Sequence, residues 1–206
     1  MGKVYTGLDQ RLTQFILAQP VFFVATAPSG SGGHVNVSPK GYRDTFAILG
    51  PTSVAYLDLT GSGAETIAHL RQNGRITIMF CSFTQTPKIL RLQGTGRVVL
   101  PGEPDWPGLV AHFPTAPERM AAHGPGENGS GPGVNGGPAG ADGRRAIVVA
   151  GLDRIADSCG YAVPVMDLRE ERDLLTQWTS RKSAEQLGSY RAEKNAASID
   201  GLPALG

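Results

Sequence analysis

Apolar residues recur along the first hundred positions in two distinct periods. Leu8, Leu12, Phe15 and Ile16 fall on one side of a helical wheel and predict a helix over 9–19, stopped by Pro20. From residue 21 the period shortens to that of a strand. The β-rich run 21–27 ends in Pro28-Ser29-Gly30-Ser31-Gly32-Gly33, a hairpin turn, with the returning strand over 34–38. Strands over 45–49 and 53–59 follow, parted by Gly50-Pro51. Gly61-Ser62-Gly63 opens a short helix that runs to about Gln72 and is closed by Asn73-Gly74. The next strand, 75–83, is apolar on both faces, with Ile76, Ile78 and Phe80 on one and Met79, Cys81 and Phe83 on the other. A long strand over 88–100 contains Gly94 and Gly96, which mark a bend or bulge where a sheet curls. Short helices over 106–113 and 117–122, a strand over 145–156 and one or two charged helices over 167–194 complete the pattern. Leu168, Leu175, Trp178 and Leu187 form the buried side of the last segment.

About seven short strands joined by tight turns, with one short helix among them, do not alternate as βαβ units. They predict a small antiparallel barrel with peripheral helices. The chain has 206 residues and 21.6 kDa, enough for one domain with a sizeable core. Glycine, at 28 residues, concentrates in 124–143, where 12 of 20 residues are Gly or Pro. Such a segment buries too little surface to offset its ordering entropy, so it reads as a flexible surface loop inside the domain. The 19 basic and 18 acidic side chains leave a net charge of +1, which argues against a nucleic-acid partner. No apolar run reaches the length of a membrane helix, and no signal peptide is visible. Two cysteines, Cys81 and Cys159, cannot build a disulfide framework, and the expectation is a cytoplasmic protein.

Three features could carry chemistry. In 35–41, period two predicts Val35 and Val37 on the core face and Asn36, Ser38 and Lys40 together on the other. An amide, a hydroxyl and an ammonium in a row suit a polar ligand, or simply a solvated strand face. Thr60-Gly61-Ser62-Gly63 precedes a helix whose Glu65 stands three residues after Ser62, a capping-box spacing. The same glycine-rich approach leaves backbone N–H groups free for phosphate, although it is neither a dinucleotide fingerprint nor a P-loop. Lys88 and Arg91 lie on the long strand, with Arg91 facing away from Leu90 and Leu92. The four histidines show no zinc spacing with either cysteine, so no metal site is expected. No nucleophile motif is present, and no residue stands out as catalytic.

Taken in order, the residues have a familiar arrangement. Val35-Asn36-Val37-Ser38-Pro39-Lys40-Gly41 is followed by Ala55-Tyr56-Leu57-Asp58-Leu59-Thr60-Gly61-Ser62-Gly63, then His69-Leu70, Asn73-Gly74-Arg75-Ile76 and Arg91-Leu92-Gln93-Gly94-Thr95-Gly96-Arg97. This resembles the pyridoxamine 5′-phosphate oxidase-like flavin-binding split β-barrels. Ser158-Cys159-Gly160-Tyr161 and the Ser198-Ile199-Asp200-Gly201-Leu202-Pro203 tail are similar to one uncharacterised branch of that family. The resemblance implies a six-stranded antiparallel Greek-key barrel, a homodimer with FMN between the subunits, and an oxidoreductase chemistry carried by the flavin. It assigns cofactor contacts to Asn36, Val37, Ser38, Pro39 and Lys40, to Thr60, Ser62, Gly63 and Thr66, and to Lys88 and Arg91. Where the vitamin-making oxidases carry an Arg-Lys pair for the FMN phosphate, this chain reads Glu65-Thr66. The expectation is therefore an FMN-binding oxidoreductase other than a true pyridoxamine phosphate oxidase. A deazaflavin-dependent reductase and a non-catalytic flavin-binding or sensor protein are the alternatives; a haem-handling barrel would need a histidine ligand that nothing here singles out.

Overall fold

The structure is a computed structural model that describes residues 2–114 and 143–206. The element order is β1 (Val4–Tyr5), α1 (Gln10–Leu17), β2 (Phe22–Thr26), β3 (Asn36–Lys40), β4 (Phe46–Gly50), β5 (Ser53–Leu59), α2 (Glu65–Asn73), β6 (Arg75–Cys81), β7 (Ile89–Val99), α3 (Trp106–Val110) and β8 (Arg144–Ser158), then α4 (Leu174–Ser180) and α5 (Ala184–Lys194). All strands belong to one antiparallel sheet of order β3-β2-β6-β7-β8-β5-β4, with β1 paired to β8. The curled sheet does not close by backbone pairing, because β3 and β4 are left as its two edges. This is the antiparallel barrel expected from the strand pattern and the split barrel implied by the resemblance, with eight strands where the pattern predicts about seven and the resemblance implies six; the strand missed by the pattern is the two-residue β1. The expected helix over 117–122 and nearly all of the glycine-rich segment lie outside the described residues.

The interior follows from strand alternation. Phe22 and Val24 of β2, Val54 and Tyr56 of β5, Ile76, Ile78 and Phe80 of β6, Leu90 and Leu92 of β7, and Val148 and Ala150 of β8 point to one side and form the main core. Helix α1 adds Leu12 and Ile16 to this core, and its start is fixed by the Asp9 carboxylate, which accepts from the Leu12 amide at 2.8 Å. Phe22, Phe46, Tyr56 and Phe80 meet edge to face or tilted at centroid distances of 5.1–5.7 Å. Gly74 ends α2 in the left-handed region at φ 72°. The β7–β8 register shifts between Gln93 and Gly94, where the bulge was expected. A Cβ on Gly94 would lie 1.9 Å from the Gly151 carbonyl oxygen, so the close approach of β8 excludes any side chain. Among the described residues no helix is long and apolar enough to cross a membrane.

Three local expectations are corrected. Leu168 is exposed and belongs to neither C-terminal helix, although Leu187 of α5 is buried as expected. Ser62 does not cap α2; the N-cap position is Ala64, with no side-chain cap hydrogen bond. The faces of β3 are also reversed. Asn36, Ser38 and Lys40 stand opposite Thr26, Val24 and Phe22 and share their inward face, while Val35 and Val37 are 72% and 60% exposed. On an edge strand the apolar side need not face the interior when the polar side has partners across the seam.

Candidate functional site

Those partners define the site. The seam between the free edge of β3 and the β5–α2 junction is closed by side chains. Lys40 Nζ donates to Asp58 Oδ1 at 2.9 Å, and Asn36 Nδ2 donates to Thr66 Oγ1 at 3.0 Å and to Thr26 Oγ1 at 3.3 Å. Ser38 Oγ donates to Asn36 Oδ1 at 3.0 Å, which fixes the Asn36 amide with its NH2 toward the two threonines. His69, fully buried on α2, places Nδ1 3.0 Å from Thr26 Oγ1. Burial holds the His69 pKa below its ordinary value, so the ring is neutral near pH 7.

Asp58 is the electrostatic centre. It is 2% exposed and meets Lys40 on one oxygen and Arg145 on the other, Arg145 Nε donating to Oδ2 at 2.7 Å. Burial alone would raise its carboxyl pKa; Lys40 and Arg145 overcome burial and bring it down to about 2. Two cations on one carboxylate leave one net positive charge under the β5–α2 turn. Tyr56, buried beside Asp58, has its phenol pushed well above the usual range, first by burial and then by that carboxylate.

The turn itself is gripped from behind. Arg145 Nη1 donates to the carbonyls of Gly61 and Gly63 at 3.2 and 2.8 Å, and Asn195 Nδ2 donates to those of Gly61 and Ser62 at 2.9 and 3.3 Å. Thr60 is fully buried, donates to the Gly143 carbonyl at 2.9 Å and accepts from Arg191. The Glu65 carboxylate lies over Gly63, 2.6 Å from where a Cβ would stand.

Of the residues expected to meet a cofactor, Asn36, Ser38, Lys40 and Thr66 come together at the seam, beside Thr60, Ser62 and Gly63. Val37 and Pro39 point to the opposite, outer face of the sheet. Lys88 and Arg91 do not converge on the seam. Lys88 Nζ lies 3.9 Å from Asp157 Oδ2 and over the Tyr5 and Phe15 rings, and Arg91 Nη1 donates to Ser158 Oγ at 3.0 Å on the outer face. Asp58, Arg145 and Asn195 were not singled out from sequence. A lone aspartate in phase with Val54 and Tyr56, and an arginine heading the apolar run 146–150, were the legible signs of the buried pair; nothing local marks Asn195.

Whether these groups suit FMN can be tested on the donor set. A phosphate monoester needs N–H donors and positive potential, and the turn presents backbone amides above a buried cluster carrying one net positive charge. The Glu65 carboxylate, half-buried over Gly63, stands beside these amides. The donor set fits a phosphate at the turn, and Lys40 Nζ is held by Asp58 rather than free to serve as a phosphate ligand. Among the described residues no group of three or more His, Cys, Asp or Glu could hold a metal ion.

The comparisons agree with this architecture. The family model of pyridoxamine 5′-phosphate oxidase matches residues 8–123. The pyridoxamine 5′-phosphate oxidase family protein ustO of Aspergillus flavus is 40% identical over 219 aligned residues, covering 100% of this chain and 78% of the relative. Among solved structures, a histidine-to-alanine variant of HupZ from Group A Streptococcus shares the fold, with a TM-score of 0.50 and 19% identity over 73% of this chain and 98% of that one. By its family match and by its identity to that curated relative across its whole length, the chain belongs to the pyridoxamine 5′-phosphate oxidase family.

Proposed function

We propose that the protein is an FMN-binding oxidoreductase, distinct from a true pyridoxamine phosphate oxidase, that works as a homodimer with the flavin between subunits. The observation that carries the reading is the β5–α2 turn, whose amides and net positive charge suit the FMN phosphate next to the free edge of β3. Membership of a flavin-binding family supports the cofactor class. When bound, the flavin supplies two-electron redox chemistry. The chain's own residues bind and orient: the turn holds phosphate, the unpaired edge of β3 offers N–H and C=O groups to the ring edge, and the Asn36–Ser38–Thr66 network holds that edge at a set distance from the turn. Dimerisation is supported by the outer face of β3, β2 and β6, where exposed Val35, Val37 and Pro39 adjoin half-buried Phe23 and Met79 with no covering element among the described residues. A second copy would remove this apolar face from water and exclude water from the flavin.

The test is a titration of the purified protein with FMN, riboflavin and a deazaflavin, followed by anaerobic addition of NADPH or NADH. The expected result is FMN binding at least about tenfold tighter than riboflavin, with slow bleaching by the nicotinamide and recovery in air. Equal binding of FMN and riboflavin would remove the phosphate from the turn. Poor FMN affinity with use of reduced deazaflavin would make the protein a deazaflavin-dependent reductase. Tight FMN binding without reduction by any donor would make it a flavin carrier or sensor.

A further inference from the structure

We infer that Asn195, together with Arg145, is a positioning residue for the anion at the β5–α2 turn: the C-terminal helix grips the turn's carbonyls and thereby aims its amides at the ligand. The inference rests on the phosphate site proposed above and concerns a residue more than 130 positions away in the chain.

Asn195 directly follows α5 and is fully buried. Its own backbone is pinned on both sides, its amide donating to the Arg191 carbonyl at 2.8 Å and its carbonyl accepting from Leu205 at 2.9 Å. From this fixed base Nδ2 reaches the carbonyls of Gly61 and Ser62, and Arg145, itself held in plane by Asp58, takes those of Gly61 and Gly63. The Gly61 carbonyl is shared, so both donors lie on one side of the turn. Three successive carbonyls therefore face the same way. The peptides are trans, and in a planar trans peptide the N–H points opposite to the C=O. The amides of Ser62, Gly63 and Ala64 are thus turned to the other side, and none of the three has an acceptor among the described residues. They continue into the first amides of α2, which have no intrahelical acceptor, and Ala64 provides no side-chain cap. The result is a row of donors matched to the oxygens of a phosphate monoester.

The experiment compares the full-length protein with Asn195→Ala and Asn195→Asp, titrating each with FMN and with riboflavin by quenching of flavin fluorescence. The two ligands differ only in the phosphate, so their affinity ratio reports the turn and is insensitive to general loosening. With the grip removed, FMN should bind about tenfold more weakly while riboflavin stays within about twofold. If either variant fails to fold, Asn195→Ser keeps a shorter donor and should lower the ratio by a smaller factor. A parallel loss of both flavins would make Asn195 a purely structural residue and overturn the inference while leaving the phosphate site standing. A wild-type ratio near one would overturn the site and the inference with it.

Discussion

At the scale of single residues, the Lys40–Asp58–Arg145 cluster dominates the energetics of the seam. The three members differ in what they leave behind when removed. Asp58→Asn strands two like charges, one of them 5% exposed, and should destabilise by about 3–5 kcal/mol in urea unfolding at neutral pH. Lys40→Met leaves Asp58 still paired with Arg145, so it should cost clearly less than Asp58→Asn and change FMN affinity by less than tenfold. The carboxyl sits near 2 in the folded protein against an ordinary value of 3.8. Its stabilisation is therefore present in full above about pH 4 and is lost as the pH falls toward 2, amounting to roughly 2 kcal/mol. Urea titrations between pH 5 and 2 should show this decline in the wild type, and a flatter profile in Asp58→Asn. His69 works in the same direction at higher pH: burial lowers its pKa, so protonation of the unfolded chain weakens folding as the pH drops below its ordinary value.

Elements were mostly legible from pattern, because strand and helix periods are local properties. The strand over 53–59 is found at those bounds, and α1, α2 and β7 are shifted by one or two residues from the expected ranges. Two glycines show what a local reading separates and what it does not. Gly94 and Gly188 look alike in sequence as glycines inside elements. Gly94 faces the Gly151 carbonyl oxygen, whereas a Cβ on Gly188 of α5 would meet nothing within 4 Å. Gly94→Ala must break the β7–β8 ladder locally and should cost about 3 kcal/mol. Gly188→Ala should instead stabilise by about 0.5–1 kcal/mol, since alanine loses less backbone entropy in an exposed helix interior. Thermal unfolding of the two variants distinguishes the signs. The β3 alternation predicts the right period and the wrong face, because which side of an edge strand is covered depends on partners supplied by β5 and α2.

At the scale of the whole molecule, the split in the barrel determines where function can reside. A sheet with β3 and β4 as unpaired edges must close its seam by other means, and here charged and amide side chains do so. On the outer face of β3 the described residues leave Val35, Val37 and Pro39 exposed. If a second copy covers it, Val37→Asp should shift the protein from dimer to monomer in sedimentation without lowering the stability of the protomer by more than about 0.5 kcal/mol, since Val37 is exposed in the single chain. A monomeric wild type would leave the flavin proposal without its second wall.

What the sequence determined by itself was the strands β2 to β8, their tight turns, the bulge at Gly94 and the glycine-rich approach to α2, all of which follow from side-chain period and backbone freedom over a few residues; the two-residue β1 is too short to carry a period. It also contained the family resemblance, carried by the order of motifs from Val35 to Arg97. Only the tertiary structure decided which groups meet. It turned Asn36, Ser38 and Lys40 inward, gave the charge of Lys40 to Asp58, placed Lys88 and Arg91 against Asp157 and Ser158 away from the seam, and brought Arg145 and Asn195 under a turn encoded more than eighty positions earlier. The physical reason is that a buried polar group is placed by the partner that satisfies it, and in this barrel those partners sit on other elements, from 10 to 134 positions away in the chain.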